Sequence, residues 1–215
     1  MIKLINKNGK KLIFSGEISA NLINAIRRSV NEIPILAIDT LEISKNDSAL
    51  YDEIISQRMG LVPLKNENLR LPEECDCGKE DGCGKCSTKF KLSKEGPCVV
   101  YSSDLSPKDG VEYKMPITIL DKEQEIEFVA IARMGQGIKH AKFSPGLLYY
   151  KYAEDVENNK DDVKFKKLIE DNRKNVGKEL IVNIESWGQI SAKEIFTEAV
   201  KSLIKNLKEL VKKVK

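Results

Sequence analysis

The chain has 215 residues, of which 41% are hydrophobic and 32% charged, and its formal charge is +3. That length holds one large core or two modest ones, and the composition argues against a largely disordered chain. So small a net charge does not announce a nucleic-acid-binding surface.

The opening Met1-Ile-Lys-Leu-Ile-Asn6 lacks the apolar core and small-residue cleavage site of a secretory signal, and no apolar run reaches membrane-spanning length, so a cytoplasmic location is expected. Residues 1 to 14 read as a strand pair, with Ile2, Leu4 and Leu12, Phe14 alternating on either side of the turn-forming Asn6-Lys-Asn-Gly-Lys10. Ser19 is placed to cap a helix with Leu22, Ile23, Ile26 and Val30 on one face. Pro34 requires that helix to stop by Ile33. From Ile35 to Ile43 the set Ile35, Ala37, Leu41, Ile43 predicts a strand, although Asp39 interrupts that face while Leu36 and Ile38 stand on the other. A short helix is expected over residues 47–56 with Leu50, Ile54 and Ile55 inward, followed by the glycine- and proline-punctuated segment Arg58-Met-Gly-Leu-Val-Pro-Leu64.

Strands are expected over 90–101, 111–119 and 125–134, then a loop over 135–146 and an aromatic strand over 147–153. Residues 155 to 178 are highly charged with a weak helical pattern, and a mobile connector is expected there. Leu180 to Glu185 alternates as a strand, and Gly188 turns it into the last element.

That last element organises the chain. Ser191-Ala-Lys-Glu194 is a capping box opening a long amphipathic helix. Positions 196, 200, 203, 207, 210 and 214 alternate steps of four and three, and Ile195, Ala199, Ile204 and Val211 widen the stripe. Helical throughout, residues 191 to 214 make a rod roughly 36 Å long at about 1.5 Å per residue. Its apolar face lies either across the chain's own sheet or, in part, against a second chain. The last fifteen residues carry six lysines against one glutamate, which suits a helix C-terminus as well as a solvated face.

Four of the five cysteines crowd into Cys75-x-Cys77-x5-Cys83-x2-Cys86, with Gly78, Gly82 and Gly84 letting the loop fold back. Four soft ligands suit a tetrahedral zinc with no open position, a site that holds a loop in shape rather than activating water. Metal-free thiols, an iron-sulfur cluster and disulfides are the other readings of the spacing. Cys98, entering Val99-Val100, reads as a strand residue. His140 is the only histidine, so neither a two-histidine metal centre nor a histidine-rich acid-base site can be assembled. Gly135-x-Gly137 lacks the rest of a phosphate-loop fingerprint. No residue is assigned a catalytic role. Arg27 and Arg28 suit a protein interface better than DNA, and Arg58 and Arg133 either serve likewise or pair with carboxylates.

Asn24-Ala-Ile-Arg-Arg-Ser-Val-Asn-Glu-Ile-Pro34, Asp52-Glu-Ile-Ile-Ser-Gln-Arg-Met-Gly-Leu-Val-Pro-Leu64, Gly137-Ile-Lys-His-Ala-Lys-Phe-Ser-Pro145 and Val182-Asn-Ile-Glu-Ser-Trp-Gly188 occur in this order along the chain. With the final helix they resemble the signatures of a family of RNA polymerase subunits. The family contains the amino-terminal domain of bacterial alpha, subunit three of eukaryotic RNA polymerase II, and their counterpart in the archaeal DNA-directed RNA polymerase, which the chain resembles most. Gln57 stands where that family often has histidine.

The resemblance implies an α+β fold in which both termini, 1–45 plus 151–215, form a discontinuous dimerisation domain. An inserted, mostly antiparallel β domain, 46–150, carries the cysteine loop at 75–86. It further implies a non-catalytic assembly subunit that pairs with a small subunit, L, to make a platform for the two large catalytic subunits. Leu22, Ile26, Val30, Phe196, Val200, Leu203, Leu207 and Leu210 would lie on the dimer side, and Arg27, Arg28 and Arg58 toward a large subunit. Cys75, Cys77, Cys83 and Cys86 match the cysteine loop of the eukaryotic relatives, which resembles a zinc site. Residues 154 to 179 contain no cysteine, so the iron-sulfur domain of some archaeal relatives is not expected. Template-directed joining of ribonucleotides with magnesium would belong to other subunits, and DNA and RNA would be met only through the complex. The rival readings are an independent zinc-containing nucleic-acid-binding module using the lysine-rich end, and a redox enzyme using the cysteines.

Overall fold

The computed structural model describes residues 2–65, 69–79, 82–153 and 179–214. The charged segment 155–178, expected as a connector, lies outside the described residues. The chain divides into two compact units, one formed by Met1–Ile33 with Ser144–Lys215 and the other by Pro34–Phe143.

In the first unit, β1 (Lys3–Lys7) and β2 (Lys11–Gly16) form the expected hairpin, and β8 (Gly146–Tyr152) and β9 (Leu180–Ser186) return to it. The sheet runs in the order β1-β2-β9-β8, with every neighbour antiparallel. One face is covered by α1 (Ala20–Ser29) and by the first half of α3 (Ala192–Val214). Leu12 and Phe14 of β2, Val182 and Ile184 of β9 and Leu148 of β8 meet Ile23, Ile26 and Val30 from the first helix and Ala192, Ile195 and Ala199 from the last. Phe196 meets Phe14 edge-on at 5.2 Å between ring centres. Completely buried residues such as Ile23 and Ile195 each contribute about 2 kcal/mol of transfer free energy.

Ser19 stands at the N-cap of α1 in extended backbone, but its hydroxyl makes no capping bond. The box at the last helix is complete: the Glu194 N–H donates to Ser191 Oγ at 3.3 Å and the Ser191 N–H to Glu194 Oε2 at 2.9 Å. The Ser191 backbone donor, then its hydroxyl, hold the Glu194 carboxyl below its ordinary value of 4.5. Ser191→Ala is therefore expected to cost about 1 kcal/mol in urea unfolding. A carboxyl whose value falls on folding stabilises above its unfolded value, and that contribution disappears as pH drops through the lower folded one. The mutational cost should accordingly shrink in acid.

In the second unit, β3 (Pro34–Asn46), β4 (Ser87–Glu95) and β7 (Glu125–Gln136) form a three-stranded antiparallel sheet in the order β3-β7-β4. A second small sheet pairs β5 (Cys98–Tyr101) with β6 (Pro116–Leu120). The break in alternation at Asp39 is a register shift between Ile38 and Thr40. A bulge moves the strand's parity by one residue, so Leu36 and Ile38 before it and Leu41 and Ile43 after it all pack on the same core. Ile35 and Ala37 pack instead with Phe143 on the other side. The helix expected over 47–56 is α2 (Asp52–Gly60), which buries Ile55 and Met59 and leaves Ile54 exposed. Its late start follows from the side chains of Asn46 and Ser48, which hold residues 46–50 in a turn: Asn46 Nδ2 donates to the Leu50 carbonyl at 2.9 Å.

The unit boundaries differ from the expected 45/46 and 150/151. All of β3 is laddered to β7, which places residues 34–45 in the inserted unit. All of β8 is laddered to β9, which places residues 146–150 in the terminal one.

Candidate functional site

The cysteine loop leaves the second unit's core at Leu69 and Leu71, which pack against it, and returns at the buried Cys86 and Ser87, where β4 begins. Between these ends the four sulfurs converge, all within 4.8 Å of one another. Cys75 and Cys83 Sγ are 3.7 Å apart, Cys77 and Cys86 Sγ 3.8 Å, and Cys83 and Cys86 Sγ 3.9 Å. A tetrahedral zinc with Zn–S bonds of about 2.3 Å separates its sulfurs by about 3.8 Å, so the arrangement fits such an ion. All five cysteines are free thiols, and Cys98 lies outside the cluster on β5.

Local backbone geometry explains the convergence. The N–H groups of Cys86 and Ser87 both donate to the Cys83 carbonyl at 2.9 Å, and the Cys83 N–H donates to Cys86 Sγ at 3.2 Å. The Lys85 backbone N–H, followed by the neighbouring thiols, outweighs desolvation and lowers Cys83 to about 7. At Cys75 the Cys77 backbone N–H favours the thiolate, but desolvation and the three other thiols together push it up to about 12.

Gly82 turns the chain with φ of +76°, and a Cβ there would come within 2.7 Å of Ser87 Oγ and 3.0 Å of Cys86 Sγ. Gly82→Ala is expected to weaken zinc about tenfold, because an L-residue in this backbone region costs roughly 1–2 kcal/mol even with all four ligands retained. Competition with a chromophoric chelator measures it; unchanged affinity would refute the assigned turn.

The eight apolar residues predicted for a partner face are divided by the structure. Ile26 and Val30, expected on the dimer side, are buried in the first unit's own core. They belong there because α1 has only one covered face, and these residues are one turn apart on it with Ile23. Phe196, Val200 and Leu203 are partly covered by the same core. Leu22, Leu207 and Leu210 are exposed, at 50%, 53% and 57%, and Ile204, Val211 and Val214 are exposed beside the last two.

The coverage ends at Glu32, whose carboxylate accepts hydrogen bonds from Ser202 Oγ at 2.8 Å and Asn206 Nδ2 at 2.7 Å. Beyond Asn206 the apolar stripe continues uncovered. The hairpin adds exposed Ile2 and Leu4, which with Leu12, Phe14 and Phe196 line an apolar groove of about 280 Å³. The sequence pattern marks Ile2 and Leu4 only as strand residues, since half-exposed edge positions share the alternation of core ones.

Arg27 and Arg28 are exposed in the last turn of α1, where their charge suits the helix dipole, and Arg27 Nε donates to Asn24 Oδ1 at 3.3 Å. Arg58, exposed at the end of α2, donates to the Pro116 carbonyl at 2.9 Å. It borders a shallow cleft of about 340 Å³ lined with Leu50, Val99 and Ile119. His140 is exposed, and its Nδ1 accepts the Lys142 N–H at 3.2 Å. The structure brings no catalytic constellation together around it among the described residues. No helix among them is long and apolar enough to cross a membrane.

Comparison with known proteins decides the family. Residues 36–148 match the RNA polymerase Rpb3/RpoA insert domain. The chain is 37% identical over 202 residues to DNA-directed RNA polymerase subunit Rpo3 of Methanothermobacter thermautotrophicus, covering 86% of this chain and 75% of the relative. The chain belongs to the Rpo3 family. The Methanocaldococcus jannaschii Rpo3 is 36% identical over 204 residues, 94% of this chain and 88% of its own. Against the Methanopyrus kandleri Rpo3 it is 38% identical over 161 residues, 71% of this chain and 58% of the relative. Membership of the Rpo3 family makes the chain a homologue of a polymerase subunit that is itself non-catalytic, with enzymatic activity residing in the full polymerase.

Proposed function

We propose that this chain is an assembly subunit of an archaeal DNA-directed RNA polymerase. Its discontinuous terminal unit pairs with small subunit L, and the pair is the platform on which the two large catalytic subunits assemble. The observation that carries this reading is the long last helix, whose apolar stripe packs on its own unit only as far as Leu203, with Glu32 reaching Asn206, and then runs on exposed through Val214. An exposed apolar face of this length on a member of the Rpo3 family supports a binding site for another subunit. Leu22, Leu207 and Leu210 carry the contact, the partly covered Phe196, Val200 and Leu203 support it from below, and Ile26 and Val30 hold α1 in place beneath.

Cys75, Cys77, Cys83 and Cys86 hold a structural zinc. Bound there, the ion supplies a four-point staple and no chemistry on substrate, since four thiolates leave no open coordination position. Arg27, Arg28 and Arg58 face a large subunit, where a guanidinium can bind carboxylates or backbone carbonyls in trans. Nucleic acid and catalytic magnesium are bound by the assembled enzyme rather than by this polypeptide, which works within the cytoplasm.

Co-expression with small subunit L followed by light-scattering mass determination tests the proposal. A one-to-one complex is the expected species; a well-behaved monomer that ignores L would refute the pairing.

A further inference from the structure

The exposed end of the last helix carries a second periodic feature that the assembly reading does not use. Lys201, Lys205, Lys208 and Lys212 follow one another at steps of four, three and four, so they form a row along one side of α3. At about 100° per residue this row lies roughly 130° round the helix from Leu207, with Ile204 and Val211 between them. The other side of the stripe is occupied by Ala199, Ser202 and Asn206, which face the chain's own α1 and Glu32. The uncovered apolar face is therefore bounded by the chain's own core on one side and by lysines on the other.

Lys201 is paired with Glu198 at 2.7 Å. Lys205, Lys208 and Lys212 are exposed and have no ion pair among the described residues. From Lys201 to Val214 there are five lysines and one glutamate. A second copy laid on this face would bring lysine rows together, and like charges flanking an apolar seam oppose that pairing. We infer that the uncovered face of α3 selects a partner helix whose apolar stripe is flanked by carboxylates, and that the lysine row at 201, 205, 208 and 212 rejects a second copy of this chain. The inference rests on the assembly reading and adds the chemistry by which the partner is chosen. The lysine stems lie along the edge of the apolar contact while their ammonium groups stay at the solvated rim, where charge sets selectivity and encounter rate more than total affinity.

Two synthetic amphipathic helical peptides with the same leucine stripe, one flanked by glutamates and the other by lysines, test this against the full chain by fluorescence anisotropy. The glutamate peptide should bind about tenfold more tightly at low salt, in keeping with a few rim charge pairs. The preference should vanish at about 1 M salt, where the screening length is about 3 Å. The triple variant Lys205→Glu, Lys208→Glu, Lys212→Glu keeps helix propensity and should reverse the preference. Equal binding of the two peptides by the unmodified chain would overturn the charge assignment and leave the apolar reading standing. A homodimer persisting at low salt, or duplex DNA displacing the glutamate peptide, would also overturn it by giving the face to another occupant. Binding of neither peptide would overturn the apolar reading and the selectivity with it, and Leu207→Asp, which should abolish binding of both, separates the two contributions.

Discussion

Cys83→Ser is expected to empty the metal site and lower the melting temperature of the inserted unit while leaving the terminal unit folded and able to bind a partner. The removed thiol is a quarter of the ligand set. The remaining three sulfurs leave the fourth position to water, a weaker ligand than a thiolate, so the site opens and loses its hold on the ion. Structural zinc sites release folding free energy when filled, so their loss is felt wherever the loop is anchored. Here the anchors are Leu69 and Leu71 on one side and the buried Cys86 and Ser87 on the other.

The sheet core itself, built on Phe90, Leu92, Phe128 and Ala130, includes none of the metal ligands. Unfolding of the whole unit is therefore not expected. A loss of about 2 kcal/mol, corresponding to a shift on the order of 10 °C for a domain of this size, is the expected scale. Metal analysis should fall from one zinc per chain to none, and chelation of the unmodified protein should reproduce the lower melting temperature. Unchanged metal content and melting in the variant would exclude the four-cysteine site.

How much of this is legible in sequence depends on how local the determining physics is. The capping box at Ser191 and Glu194 is made by residues three apart, and the structure closes it as the pattern requires. The cysteine spacing likewise contains most of its own geometry, because ligands within twelve residues joined through Gly78 and Gly82 can reach one point. Asp39 is different. Its interruption of the strand pattern is a bulge, and a bulge is defined by the partner strand as much as by its own residues.

The positions of α2 and of the unit boundaries depart from expectation for related reasons. The side chains of Asn46 and Ser48 delay the helix, and the full-length ladder between β3 and β7 draws residues 34–45 into the inserted unit. Pairing at long sequence separation leaves no local mark. The division of the apolar stripe is also hidden, because periodicity shows that a face is covered without showing by what. Ile26 is covered by its own sheet at 6% exposure and Leu207, part of an equally regular stripe, stays 53% exposed.

That contrast makes Leu207→Asp the sharpest test of the assembly surface. Leu203→Asp would also break the stripe, but Leu203 packs partly against the terminal unit's own core, so its effect on a partner would be mixed with an effect on folding. Leu207 stands one turn further on, past the last contact with Glu32, and a substitution at so exposed a helical position should change the isolated chain's stability by no more than about 0.5 kcal/mol. In the complex the same carboxylate would be trapped in the middle of an apolar contact between Leu203 and Leu210. An unpaired charge in such a place costs about 3 kcal/mol or more, so binding of subunit L should weaken by at least about a hundredfold. Glu198, Lys201 and Lys205 cannot relieve it, since each lies more than about 100° round the helix from position 207. Circular dichroism and melting of the variant alone should match the parent, while light scattering of the co-expressed pair should find the one-to-one complex lost. A folded variant that still holds its partner with parental affinity would show that the exposed stripe is not the assembly surface, and would move the search to the groove between Ile2, Leu4 and Phe196.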